Sequence, residues 1–308
     1  MLFNLRNFTK KHANILIEKL WFIVHPYSNE YHIPGTRNLN KNLAYSNSAS
    51  EPKFQELLEV FQAEVIQKVN ENKPFSFYKF GDGDFYFLNA IPKGSAKPGN
   101  RAISKVLSTQ DLELFRTNAN LCDRYLCEIP AENRQLFSQT FPQKVVDFPA
   151  EIVYGLVANK WLMSTFSHKI GVIGADAKIE LLQVLMSHPE YQDYLKLEKF
   201  TTYLKIPQKY ACDNHVNVYA DLKRRILESD CKFFLAGVGH LKSAILGPLA
   251  KETGSVIIDI GSGIDALSGV ISNNRPYFAG WTNFQAPDKF DYSRIDYLQY
   301  RTSTVKKL

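Results

Sequence analysis

The chain has 308 residues, 45% hydrophobic and 22% charged, which is ample apolar material for one large domain or two small ones and excludes a disordered or fibrous protein. Lys and Arg number 37 against 31 Asp and Glu, a formal charge of +6, which suits anionic partners such as nucleotides, phospholipid headgroups or nucleic acid without choosing between them. The four cysteines, Cys122, Cys127, Cys212 and Cys231, are too few for a disulfide scaffold and form no C-x-x-C pair, so a reducing cytoplasm is the expected compartment.

At the amino end, Ile15 to Val24 is an apolar stretch broken by Glu18 and Lys19. It is shorter than the roughly 20 apolar residues of a bilayer span, and it lacks the unbroken run and small-residue cleavage site of a signal peptide. Arg6, Lys10, Lys11 and Lys19 beside Leu16, Leu20, Trp21, Phe22 and Ile23 give residues 1–26 the composition of an amphipathic helix. Such a helix either packs on the main domain or lies peripherally on the inner face of an anionic membrane. Tyr27 to Pro52 is rich in Asn, Ser and Gly and reads as a linker. The expected organisation is an extension over 1–51 and a folded unit over 52–308.

In that unit, Phe54, Leu57, Leu58, Phe61, Val65 and Val69 form one stripe of a helix over 53–71. PFSFYKF (74–80) reads as a strand entering a tight Gly81-Asp82-Gly83-Asp84 turn, followed by a basic Pro/Gly-rich loop over 92–101. Residues 110–127, 131–140 and 150–164 read as helices. Strands are then expected over 168–176, 194–207, 231–239 and 255–263, with helices over 177–188, 220–230 and 240–254. Alternation of apolar strands with helices predicts an α/β fold, a Rossmann-like, mostly parallel sheet flanked by helices. Ligands bind such sheets at the carboxyl ends of the strands, which singles out the turns after Phe80, Ala236 and Ile260.

Asp82 and Asp84 end the first strand. Mg²⁺ or Mn²⁺ takes one or two carboxylates plus diphosphate oxygens, and Gly81 and Gly83 let the backbone turn both acids toward one ion. The alternative is an ordinary Asp-Gly turn. Gly237 and Gly239 open a strand-to-helix turn whose N–H groups suit a phosphate, with His240 or Lys242 adding a charge or a donor. Lys242 stands where the G-x-G-x-x-G fingerprint needs its third glycine, so a dinucleotide site is not supported, and a ligand-free turn is the alternative. Val256 to Asp265 imitates the first motif of S-adenosylmethionine-dependent methyltransferases, but too little chain follows Gly263 to build the rest of that sheet, and Asp265 replaces a glycine. Asp259 and Asp265 then become candidates for ribose contact or acid/base work, unless Asp265 only caps the next helix. Arg275 offers a guanidinium for a phosphate or carboxylate, or sits in a surface turn. No G-x-S-x-G, H-E-x-x-H or Walker A motif is present.

Taken together, FYKFGDGDF ending at Phe85, GVIGAD (171–176), FFLAGVGH (233–240) and VIIDIGSGIDALSG (256–269) resemble the GT-D-type bacterial glycosyltransferases. The resemblance covers roughly Pro74 to Gln285. It implies metal-assisted transfer of a sugar from a nucleotide diphosphate donor, a UDP-sugar first among them, to a glycan acceptor in bacterial surface polysaccharide or glycoprotein glycan assembly, with no nucleic-acid partner. By position, Asp82 and Asp84 carry the metal motif, which usually ends in glutamate, and Lys79 stands where an arginine is common. Gly81, Gly83, Gly237, Gly239, His240, Asp259 and Arg275 would contact the donor. Asp265 is the expected acid/base group, because an acceptor hydroxyl needs a positioned carboxylate nearby, and the loop over 92–101 would close on the donor.

Overall fold

The computed structural model describes residues 52–128, 131–150, 152–153, 165–166 and 169–268. The extension over 1–51, most of the helix expected over 150–164, and Arg275 lie outside these residues.

The described chain opens with α1 (Pro52–Asn70), β1 (Phe75–Phe80), α2 (Asp82–Leu88) and α3 (Thr109–Ala119). It continues through β2 (Arg124–Cys127), α4 (Ala131–Thr140), β3 (Phe148–Pro149), β4 (Ile170–Ala175), α5 (Asp176–Leu185) and α6 (Pro189–Leu195). The last elements are β5 (Thr202–Ile206), α7 (His215–Leu227), β6 (Phe233–Gly237), α8 (Lys242–Thr253), β7 (Val256–Asp259) and α9 (Gly263–Leu267).

The seven strands form one sheet in the order β3-β2-β1-β7-β6-β4-β5, and every pairing is parallel. Side chains alternate across the sheet, as the two-residue period of a strand requires. Phe77, Phe233, Leu235, Val256 and Ile258 enter the core on one face, and Tyr78, Phe80, Phe234, Ala236 and Ile257 enter the core on the other. Burial on both faces explains why these strands read as unbroken apolar runs. The stripe of α1 covers the first face: Phe61 is fully buried, and its ring lies 5.0 Å from Phe77 and 5.2 Å from Phe148, both edge-on. The expected glycine stop is present, since Gly254 ends α8 in the left-handed region at φ 64°.

Three local expectations are corrected. The segment read as a single helix over 110–127 is α3 followed by β2. Ser108 caps the helix by accepting the Asp111 N–H, and Asp123 then accepts both the N–H and the hydroxyl of Ser76 at 2.9 and 2.8 Å, fixing the chain alongside β1. The strand expected over 194–207 is divided between α6, with Pro189 in its first turn and Lys196 left-handed at its end, and the shorter β5. Gly81-Asp82-Gly83-Asp84 is not a free turn, because α2 begins at Asp82, with Gly81 in extended backbone just before it.

Candidate active site

A cavity of about 340 Å³ opens where the sheet's carboxyl ends meet. Its walls include Lys79 and Gly81 from the end of β1, Ala175 from β4, Ile206 from β5, Gly237 from β6, and Gly261 just past β7. This is the crevice in which open parallel α/β sheets bind their ligands. Ser95 and Arg101, from the loop over 92–101, also line it.

The wall between β1 and β6 is a hydrogen-bonded chain. Asp84, in the first turn of α2, is buried. Its Oδ2 accepts the Gly81 N–H at 2.9 Å and stands 2.9 Å from Lys242 Nζ. Its Oδ1 lies 3.2 Å from His240 Nδ1. With the Asp84 carboxylate accepting from Nδ1, Nε2 on the other side of the ring lies 2.6 Å from the Ser95 hydroxyl and accepts from it in the tautomer with its single hydrogen on Nδ1. Phe87 stacks on the imidazole at 4.6 Å with the rings 4° from parallel, which fixes its plane. Burial pushes the Asp84 carboxyl up, but the Lys242 ammonium, the His240 ring and the Gly81 N–H outweigh it and hold the group well below the usual carboxylate range.

Lys242, the first residue of α8, is buried and joins three strand-end groups. Its Nζ lies 2.9 Å from Asp84 Oδ2 and 2.9 Å from Asp259 Oδ2, and it also donates to the Lys79 carbonyl. The three donors of the ammonium are thereby matched by three acceptors. Burial lowers the Lys242 pKa, but Asp259 and Asp84 more than restore it, so the group is raised above the ordinary lysine value. Two other cations line the cavity beside acids of their own: Lys79 Nζ is 3.4 Å from Glu128 Oε1, and Lys178 is ion-paired with Asp265.

Lys79, Gly81, Gly83, Asp84, Gly237, Gly239, His240 and Asp265 all reach the cavity wall. Asp259 does not: it is fully buried, its Oδ1 accepting the Gly261 N–H at 2.8 Å and its Oδ2 the Lys79 N–H at 3.2 Å. It therefore locks β7 to β1 and cannot contact a ribose. Asp82 is exposed and not part of the wall, while Asp84 is buried in it. A helix separates these two acids because positions one and three of a turn point in different directions. Gly237 is required by packing rather than by phosphate, since a Cβ there would lie 2.4 Å from Ile264 Cβ and 3.0 Å from the Gly261 carbonyl. Gly239 does sit on the wall at φ +59° with open space around it.

The residues expected to hold Mn²⁺ or Mg²⁺ do not fit a shared ion in this arrangement. Both oxygens of Asp84 are occupied, one by His240 and the other by Lys242 and the Gly81 N–H, and Asp82 is exposed and off the cavity wall. Among the described residues no group of three His, Cys, Asp or Glu side chains stands together as a protein-only metal site.

Ser95, Lys178 and Glu128 are site residues outside the sequence expectation. The strand-end rule would have found Lys178, which follows β4, had the turns after Ala175 and Ile206 been weighed with the other three.

No family model and no curated protein matches the chain. A solved selenomethionine-substituted structure described as a domain of unknown function 1792 (DUF1792) is similar at 12% identity and a TM-score of 0.43, over 81% of this chain and 97% of that one. Among the described residues no helix is long and apolar enough to cross a membrane.

In chemical terms the cavity offers an oriented imidazole whose Nε2 lies 2.6 Å from a hydroxyl, with lysine and arginine side chains around it for an anionic group. That combination suits a reaction in which a hydroxyl gives up a proton beside an anionic leaving group.

Proposed function

We propose that this protein is a glycosyltransferase that moves a sugar from a nucleotide diphosphate donor, a UDP-sugar first, to a hydroxyl of a glycan acceptor in bacterial surface polysaccharide or glycoprotein glycan assembly, acting in the cytoplasm. The observation that carries the reading is the His240 imidazole, held by Asp84 and Phe87 and reaching a hydroxyl at 2.6 Å on the wall of a strand-end cavity. The resemblance of the same segments to GT-D-type glycosyltransferases supports it.

In this reading an acceptor hydroxyl takes the place of the Ser95 hydroxyl at His240 Nε2. Its proton passes to the ring, its oxygen bonds to the donor's anomeric carbon, and the bond from that carbon to the diphosphate breaks. His240 replaces Asp265 as the base, because Asp265 is ion-paired with Lys178 while His240 has an acceptor nitrogen on the cavity. Arg101 and Lys178 hold the departing diphosphate, and Arg101 and Ser95, on one loop, carry that loop's closure over the donor.

A thermal-shift screen of UDP-, GDP- and CMP-sugars with S-adenosylmethionine beside them tests this proposal. Saturation at about 100 times Kd adds roughly 2.7 kcal/mol to the folded state, enough to see. A shift with one sugar nucleotide, followed by its turnover in the presence of glycan acceptors, is the expected result. A shift with S-adenosylmethionine alone would transfer the site to methyl transfer, and sugar-nucleotide binding without transfer to any acceptor would make the protein a binding module.

A further inference from the structure

The cation position at the end of β1 is already filled from within the chain. Asp84 and Asp259, the two acids that close the sheet's carboxyl edge at β1 and β7, both lie 2.9 Å from one ammonium, that of Lys242. That ammonium is buried, donates to the Lys79 carbonyl, and lies 4.6 Å from the centre of the Tyr78 ring. A hard divalent ion needs six or more oxygen ligands at about 2.0–2.6 Å. To gain Asp84 it would have to displace Lys242 and leave a buried ammonium with only one of its two acids, which weakens a buried pair from one side. Asp82, the other acid of the motif, lies exposed and off the cavity wall.

We infer that Lys242 is a built-in substitute for a divalent cation, so that the cavity takes its anionic ligand without Mn²⁺ or Mg²⁺. The inference rests on the proposed function for the identity of that ligand but not for the cation site itself. Lys242 neutralises the strand-end acids that would otherwise repel a diphosphate, and side-chain cations on the cavity wall meet the diphosphate directly. A lysine cannot dissociate, so ligand binding becomes independent of the free metal concentration.

The test is an electron paramagnetic resonance titration of the full chain with Mn²⁺ alone, in which bound ions lose the signal of the hydrated ion. The wild-type protein is expected to bind no equivalent of Mn²⁺ that the Asp84→Asn change removes. The Lys242→Met protein, which keeps the side-chain length but loses the charge, is expected to gain one equivalent, with a melting temperature that rises on adding Mn²⁺. One equivalent on the wild-type protein, lost in Asp84→Asn, would overturn the inference. Should Lys242→Met fail to fold, the wild-type and Asp84→Asn titrations decide alone. In a second arm, the thermal shift given by UDP is expected to be the same in excess EDTA and in millimolar Mn²⁺, and a shift seen only with Mn²⁺ would overturn the inference. If no nucleotide shifts the protein under either condition, the donor reading fails while the Mn²⁺ titration still decides the cation site.

Discussion

Lys242 Nζ lies 2.9 Å from Asp84 Oδ2, so the helix that follows β6 supplies the counter-charge for the acid that follows β1. Because the same ammonium holds Asp259 at 2.9 Å, removing it strands two buried carboxylates, whereas removing Asp84 alone leaves it one partner. Lys242→Ala is therefore expected to lose about 3–5 kcal/mol, the usual cost of breaking a buried pair from one side. Asp84→Asn should lose clearly less, since its amide oxygen still accepts the Gly81 N–H. Urea unfolding of the three proteins checks the order, and equal losses would mean that Asp259 adds nothing to the tie.

His240 and Asp265 make opposing predictions for catalysis. If His240 takes the acceptor proton, His240→Ala should lower kcat by about 10²–10⁴-fold, the usual contribution of a general base, with the donor KM little changed. Asp265→Asn should retain most of kcat, because that carboxylate is engaged with Lys178. Steady-state kinetics with the donor found in the thermal-shift screen decides between them. A larger loss in Asp265→Asn would return the base to the carboxylate.

The sheet was legible because its strands carry their own signal: continuous apolar runs such as IGVIGA and FFLAG are what burial on both faces demands. β2 was hidden because it has four residues and follows a capped helix without a glycine or proline between them. The cavity's location followed from the strand-end rule, and nine of the sequence-nominated residues, Lys242 among them, stand on its wall. What the sequence concealed was pairing. Lys242 is 158 residues from Asp84 and 17 from Asp259, and Ser95 meets His240 across a separation of 145. The acid-glycine-acid pattern suggests two acids on one ion, whereas the helix that starts at Asp82 leaves Asp82 exposed and Asp84 buried.

The cysteines are expected to be inert in the folded protein. All four are buried, and burial pushes the Cys122 thiol up to about 12 and the Cys231 thiol to about 11. Cys212 is raised by burial as well. Since the thiolate is the reacting form, iodoacetamide at mildly alkaline pH should leave the native chain unmodified and label all four sites in guanidinium. Intact-mass analysis reads the count, and rapid native labelling of Cys122 or Cys231 would show that the sheet opens locally at that position.

Gly237 and Gly239 open the same turn for different reasons, and a double-mutant cycle separates them. A methyl group at Gly237 would meet Ile264 at 2.4 Å, so Gly237→Ala should cost about 1–3 kcal/mol through overpacking. Adding Ile264→Ala should recover part of that loss, because it removes the Cγ2 that the methyl meets at 2.5 Å, while the Cβ at 2.4 Å stays. Gly239→Ala meets nothing within 4 Å but holds φ +59°, so its cost of about 1–2 kcal/mol is conformational and should add to Ile264→Ala without coupling. Gly239 also lines the cavity, so its substitution alone should weaken the nucleotide-induced thermal shift by more than its stability loss accounts for. Coupling of Ile264 to both glycines, or to neither, would contradict the close approach of α9 to the end of β6.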